Sequence, residues 1–296
     1  MSAGVISGIK RFEIHDGDGI RTTVFLKGCP LRCRWCHNPE NLSSAPQIMF
    51  YADKCLGCRS CEQVCACHAP AAPKIDRAHC SACGRCVSHC PSGALEVSGR
   101  RAEAEELLPL LVEDRMFFEA SSGGVTLSGG EPLMQPVFAG ELLRLLKNAG
   151  IHTALDTCLF ASRSALEGAV PWTDQFLIDV KAIDSEVHRR CTGVDNAQIL
   201  SNLRRLDEMG KSIEIRVPFI PGWNDGEMEA IAQFLAGLQG RYRIRLLPYH
   251  DYGNAKAARL DMEMENIALP NPQAVAQALE TFRRLGLDAF NGAAED

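Results

Sequence analysis

The sequence predicts an α/β protein, a partial (β/α)6 barrel carrying a small inserted domain. Three observations carry this. Strand-like and helix-like runs alternate with short connections after Arg100, and such alternation builds a parallel sheet. Twelve of the 14 cysteines crowd between Cys29 and Cys90, most of them in a repeat with a period of 25 residues. A third feature, the loop Cys29-x3-Cys33-x2-Cys36, interrupts the barrel after its first strand.

The expected strands are Thr22–Lys27, Gly124–Ser128, His152–Asp156, Gln175–Asp179, Ile213–Val217 and Tyr242–Leu247. The expected helices are Ala102–Glu113, Pro136–Ala149, Ser162–Val170, Ala197–Met209, Gly226–Gly237 and Pro272–Leu285. Six units are fewer than the eight of a closed barrel. The domains are 1–50 for the start of the barrel with its cysteine loop, 51–98 for the insert and 99–296 for the remainder. Reading alternate residues places Glu214 with Arg216, Arg243 with Arg245, and Asp179 with Lys181 on common faces. Charges facing a barrel interior need partners or a polar ligand, so a polar cavity is expected, with ion pairs at the strand ends as the alternative.

Three thiolates within eight residues suit three corners of a [4Fe–4S] cube, because soft sulfur favours iron clusters. The loop has no fourth cysteine, so one iron keeps an open position for chemistry. Zinc sites favour paired spacings, unlike this one. In the insert, Cys55, Cys58, Cys61 and Cys65 repeat as Cys80, Cys83, Cys86 and Cys90. Each run resembles that of bacterial two-cluster ferredoxins, in which the fourth cysteine crosses to the other cluster. The resemblance assigns Cys55, Cys58, Cys61 and Cys90 to one [4Fe–4S] cluster and Cys80, Cys83, Cys86 and Cys65 to a second. So short a domain would use its clusters as its core. Cys67 is an extra thiol that competes with Cys65.

Such dense cysteines read as metal ligands in a cytoplasmic chain; no signal peptide or apolar span is recognised. The net charge of −6, without a basic run, argues against nucleic acid as partner.

The x3-x2 spacing followed by Ser128-Gly129-Gly130-Glu131-Pro132 resembles the radical S-adenosylmethionine (SAM) superfamily. One branch matches further, the glycyl-radical enzyme activating enzymes. It is matched by Asp16-Gly17-Asp18-Gly19-Ile20-Arg21-Thr22, Trp35-Cys36-His37-Asn38-Pro39-Glu40, Leu155-Asp156-Thr157, Asp179-Val180-Lys181, Arg216–Asp225 and Leu247-Pro248-Tyr249-His250. Asp18 stands where that branch usually has proline, and Cys158-Leu159 where a small residue and glycine are common.

The resemblance implies three [4Fe–4S] clusters, SAM and a monovalent cation. Cys29, Cys33 and Cys36 would hold the reactive cluster, with Gly129, Gly130 and Glu131 at the SAM ammonium. Lys181, Arg216 and His250 would meet the SAM carboxylate and its neighbours, with Lys181 and Arg216 also counted as catalytic. Asp156, Thr157 and Asp179 would bind the cation. The implied activity is reductive cleavage of SAM and removal of a glycine α-hydrogen from a partner glycyl-radical enzyme. The partner type stays open among pyruvate formate-lyase, glycerol or diol dehydratase, choline lyase and aryl-acetate decarboxylase. Flavodoxin or ferredoxin would donate the electron, and the chain would act as a monomer away from membranes. Two rivals remain: another radical SAM enzyme acting on a peptide or small molecule, and a plain electron carrier, which would leave the glycine motif unexplained.

Overall fold

The computed structural model describes residues 2–69 and 74–293, so 70–73 of the expected insert fall outside it. Its strands are β1 (Ala3–Glu13), β2 (Arg21–Leu26), β3 (Gln47–Phe50), β4 (Leu95–Ser98), β5 (Arg100–Glu103) and β6 (Gly124–Gly129). They continue as β7 (Thr153–Thr157), β8 (Gln175–Asp179), β9 (Ser212–Phe219), β10 (Arg243–Pro248) and β11 (Asp288–Asn291). Nine of them form one sheet in the order β11-β10-β9-β8-β7-β6-β2-β1-β5.

The six expected strands are β2 and β6 to β10, paired in parallel. The sheet is mixed at one edge, however, because β1 runs antiparallel to both β2 and β5. Strand β1 escapes sequence reading because glycines at Gly4 and Gly8 blur its alternation. Gly4 is needed: a Cβ there would lie 2.3 Å from the ring of Phe138. At the other edge β11 extends the parallel run, too short to show a period.

All six expected helices form, the first as Ala104–Leu111. It starts two residues late because Ala102 and Glu103 complete β5, and Glu103 and Glu106 then close a reciprocal cap. Five short helices among the described residues were not expected: Ser60–Gln63, Arg85–Ser88, Arg115–Ser121, Ser185–Thr192 and Tyr252–Ala258. Among the described residues no helix is long and apolar enough to cross a membrane.

Alternation sorts the sheet into two faces. Val24, Leu127, Leu155, Ile178, Ile215 and Leu246 are fully buried in the core against the helices. Their chain neighbours on the other face are polar: Thr23, Ser128, Asp156, Asp179, Arg216 and Arg245. The sheet curls around that polar face. Arg216 reaches Asp16 (3.7 Å), and Gln175 donates to Asp18 Oδ2 (3.1 Å), across from strands that are not sequence neighbours. Buried Arg21 fixes this floor through the Thr126 hydroxyl (2.6 Å) and the Asp18 carbonyl (3.0 Å).

The cysteine-rich segment sits on a separate antiparallel pair, β3 with β4. Its own core is small, with Ile48, Phe50, Cys61, Ile75, Ala94 and Leu95. Arg77 ties it to the barrel by an ion pair with Asp261 (2.9 Å) and a bond to the Arg259 carbonyl, and also donates to the Ile48 carbonyl of β3.

Candidate active site

The C-terminal ends of β2 and β6 are locked together by backbone. Gly130 N–H donates to the Leu26 carbonyl (2.9 Å) and Glu131 N–H to that of Gly28 (2.8 Å). Gly129 has φ +115°, and a Cβ there would lie 2.4 Å from Leu26 backbone atoms. A Cβ on Gly130 would meet the Gly28 carbonyl at 2.4 Å. Only glycine allows this approach, so the glycine turn lies directly against the start of the cysteine loop. The loop is then held by Arg32 N–H to Thr192 O (2.7 Å) and Arg34 N–H to Cys191 O (3.0 Å). Trp35 anchors it among Cys191, Ile220, Tyr249 and Ile267.

A cavity of about 440 Å³ opens at this end, a size typical of small-molecule sites. Cys29, Cys33 and Cys36 line it, as do Gly129, Gly130, Asp156, Thr157, Asp179, Lys181, Arg216 and His250. Of the residues expected there, Glu131 alone is not among them.

Glu131 is engaged within the protein. Its side chain is fully buried and accepts from Leu133 N–H (3.0 Å), the Thr157 hydroxyl (2.8 Å), Cys158 N–H (2.8 Å) and the Cys158 thiol (2.9 Å). Burial raises its pKa against these donors. With its lone pairs so occupied, Glu131 braces the turn. The Thr157 hydroxyl donates to Glu131. Asp156, Thr157 and Asp179, the residues expected at a cation, line the same cavity. Asp156 accepts from Ser128 Oγ (2.6 Å) and pairs with Arg216 (3.3 Å), while Asp179 pairs with Lys181 (2.6 Å).

The charges of this wall are interdependent. Burial pushes the Asp156 carboxyl up to about 6, with Arg216 opposing and Asp179 reinforcing the shift. Burial works against the Lys181 ammonium, but Asp179 and Cys33 outweigh it and keep it charged. Arg216 is held charged in the same way by Asp156 and Asp16. Deeper in the barrel, Glu214 pairs with Arg245 (2.9 Å), so this part of the expected polar interior consists of ion pairs.

The insert cysteines gather around two further cavities. Cys55, Cys58, Cys61 and Cys90 line one; Cys65, Cys80, Cys83 and Cys86 line the other, joined there by Cys67. Cys67 Sγ lies 3.3 Å from Ser81 Oγ, and the Cys65 thiol donates to the Ala69 carbonyl (3.5 Å). No disulfide joins any of the fourteen cysteines. Among the described residues no three His, Cys, Asp or Glu side chains converge as ligands of a single metal ion. The insert thiols ring the two spaces.

The chain is 42% identical over 275 residues to the isethionate sulfite-lyase activating enzyme of Oleidesulfovibrio alaskensis, with 88% of each chain covered. It is also 42% identical over 271 residues to the choline trimethylamine-lyase activating enzyme of the same organism, covering 88% of this chain and 87% of that one. A solved domain of a pyruvate-formate lyase-activating enzyme from Bacteroides vulgatus aligns with a TM-score of 0.50 at 34% identity, over 58% of this chain and 99% of that one. Residues 23–235 match the radical SAM superfamily. The chain belongs to that superfamily, among the glycyl-radical enzyme activating enzymes.

The residues of this radical SAM protein fit the groups that the family implies. Burial pushes the Cys29 and Cys36 thiols up to about 12, with Cys33 reinforcing the shift in each. Iron would take the place of those protons. Among the described residues His37 Nε2 and His250 Nδ1, buried beside the cavity, have no hydrogen-bond partner, and the two rings stack at 3.9 Å. Burial, with His250 adding to it, pushes the His37 imidazole down to about 4, so it is neutral and able to accept. Sequence reading gave no role to His37, Asp16 or Ser128, although all three line the cavity. Their signal was present only as membership of the matched motifs.

Proposed function

We infer that this activating enzyme binds SAM and a [4Fe–4S] cluster in the large cavity and there takes an α-hydrogen from a backbone glycine of a partner glycyl-radical enzyme. The observation that carries this is one cavity walled jointly by the three-cysteine loop, the glycine turn and the charged ends of the parallel strands. Cys29, Cys33 and Cys36 would hold the cluster, leaving one iron for the amino and carboxylate groups of SAM. When bound, the cluster supplies one electron to SAM, whose 5′-deoxyadenosyl radical removes the glycine hydrogen. Lys181 and Arg216 present fixed positive charge to the SAM carboxylate, and the narrow Gly129-Gly130 turn lets backbone approach the ammonium. Phe25, Leu31 and Leu247 line the same cavity and exclude water from the reacting carbon.

We also propose that residues 51–98 form a ferredoxin-like domain with two more [4Fe–4S] clusters, giving three in all. The grouping of its cysteines around two cavities supports the crossed ligand sets. Anaerobically reconstituted protein should then carry about twelve irons per chain. Cys65→Ser should lose part of this iron while Cys67→Ser keeps it; the opposite result in iron analysis would make Cys67 the ligand. A flavodoxin or ferredoxin is the proposed donor. Its route is supported by another cavity, of about 330 Å³, that borders Cys33 and Cys36 and is lined by Arg32, Arg34, Met262 and Met264. A cytoplasmic monomer is the setting proposed for this chemistry.

Equal identity to activating enzymes named for two different lyases leaves the partner to experiment. Mixed anaerobically with SAM, a strong reductant and either isethionate sulfite-lyase or choline trimethylamine-lyase, the chain should generate a glycyl-radical EPR doublet on one of them. The splitting arises from the single hydrogen left on the α-carbon, so deuteration at that glycine should collapse it. A small-molecule product and no protein radical with every candidate partner would instead favour another radical SAM activity.

A further inference from the structure

The helix Tyr252–Ala258 touches both cysteine-bearing parts of the chain. In its first turn, buried Gly253 lies directly on the three-cysteine loop. A Cβ there would sit 2.3 Å from the Cys36 carbonyl oxygen and 3.2 Å from His37 Cα, so only glycine allows the contact. Just before the helix His250 stacks on His37, and Tyr252 tilts onto His250 at 4.4 Å. Lys256, on the same face as Gly253, donates from Nζ to Asn38 Oδ1 (2.7 Å) and to Glu40 Oε1 (3.0 Å). The helix therefore grips the Cys36 backbone and two of the side chains that follow it.

The other end of this helix is held by the insert. The carbonyl of Arg259, its C-cap, accepts from Phe50 N–H (2.9 Å) and from Arg77 (3.2 Å). The Arg259 guanidinium lies over the Tyr51 ring at 4.3 Å, and Asp261 pairs with Arg77. Phe50 in turn lines the cavity ringed by Cys55, Cys58, Cys61 and Cys90. A helix of seven residues is about 10 Å long, so one short rigid element joins the base of the insert to Cys36.

This grip complements what holds the rest of the loop. Cys33 is flanked by Arg32 and Arg34, whose N–H groups are bound to the Thr192 and Cys191 carbonyls, and Cys29 N–H donates to Leu42 O (3.3 Å). Beyond Cys36, Asn38 leads into the 3₁₀ turn Pro39–Asn41, and Lys256 takes up its side chain. We propose that Lys256 is a positioning residue: with Gly253 it fixes Cys36 relative to Lys181 and Arg216 on the barrel wall, and the insert braces it through Arg259 and Arg77. This rests on the function inferred above. A ligand that meets both the cluster and the wall binds well only if the two keep their spacing, and a shift of about 1 Å is enough to matter.

Anaerobically reconstituted full-length protein tests this. Lys256→Met keeps the length of the side chain and removes its charge and donors. It should raise amide hydrogen exchange across residues 36–42 about tenfold, with iron content at the wild-type level. With a chemical reductant its KM for SAM should rise about tenfold, while kcat changes less than about threefold. Lys256→Arg, which retains donors for both oxygens, should restore most of the exchange protection and of the KM. Arg77→Met should raise exchange in Tyr252–Ala258 and, through the helix, in residues 36–42. Wild-type exchange across 36–42 in Lys256→Met overturns the proposal. So does loss of cluster iron or faster exchange throughout the chain in that variant, because either makes Lys256 a general stabiliser. Wild-type exchange across 36–42 in Arg77→Met overturns the part given to the insert. Wild-type protein that binds no SAM overturns the function reading instead, and the exchange measurement, made without SAM, keeps the two failures distinct.

Discussion

Replacing Cys29, Cys33 and Cys36 together by alanine should reduce SAM cleavage to background while the insert keeps its iron. All three thiols line the large cavity, and none of the eight assigned insert cysteines does. The loss should therefore be about four of twelve irons. The fold should survive, because alanine removes groups that burial already penalises when charged and leaves no buried charge behind. Iron analysis with 5′-deoxyadenosine measurement checks both halves. Residual cleavage in the triple variant would place the reactive cluster in the insert.

The second large effect belongs to Glu131, and it should appear without SAM. Glu131→Ala strips the acceptor from two backbone N–H groups, a hydroxyl and a thiol, all buried. Unsatisfied buried donors cost about 1–3 kcal/mol each, partly offset by removal of a desolvated carboxylate, so a loss of about 3–5 kcal/mol is expected. That corresponds to a fall of roughly 10 °C in the melting temperature of the SAM-free protein. Glu131→Gln should be milder, since it keeps one acceptor oxygen but turns an amide donor toward other donors. Unchanged thermal stability combined with weakened SAM binding would make Glu131 a ligand instead.

Period-two alternation made shared polar faces legible, grouping Glu214 with Arg216 and Asp179 with Lys181, because strand geometry alone decides which residues share a face; which face turns inward it does not decide. Helix Ser185–Thr192 was missed although its signals are present. Asp184 caps its first turn and Gly193 ends it in the left-handed conformation. At eight residues the helix is too short for a hydrophobic period to stand out. The bulge in β1 between Lys10 and Glu13 was not legible, because its extra residue exists only in relation to β2. The direction of Glu131 was hidden for a similar reason. It depends on where Thr157 and Cys158 lie after the sheet has formed.

The cysteine spacings by themselves determined the kind of chemistry, because three thiols within eight residues are bound by chain reach alone to share one small space. Gly129 and Gly130 likewise announced a close backbone approach. Which side chains meet in that space was a tertiary decision. His37 stacks on His250, Asp156 pairs with Arg216, and the glycine turn rests on Gly28, all between residues far apart in the chain. Those meetings come from the curl of the sheet. Curl is set by the packing of every strand on its neighbours and on the helices, and no local stretch of sequence encodes it.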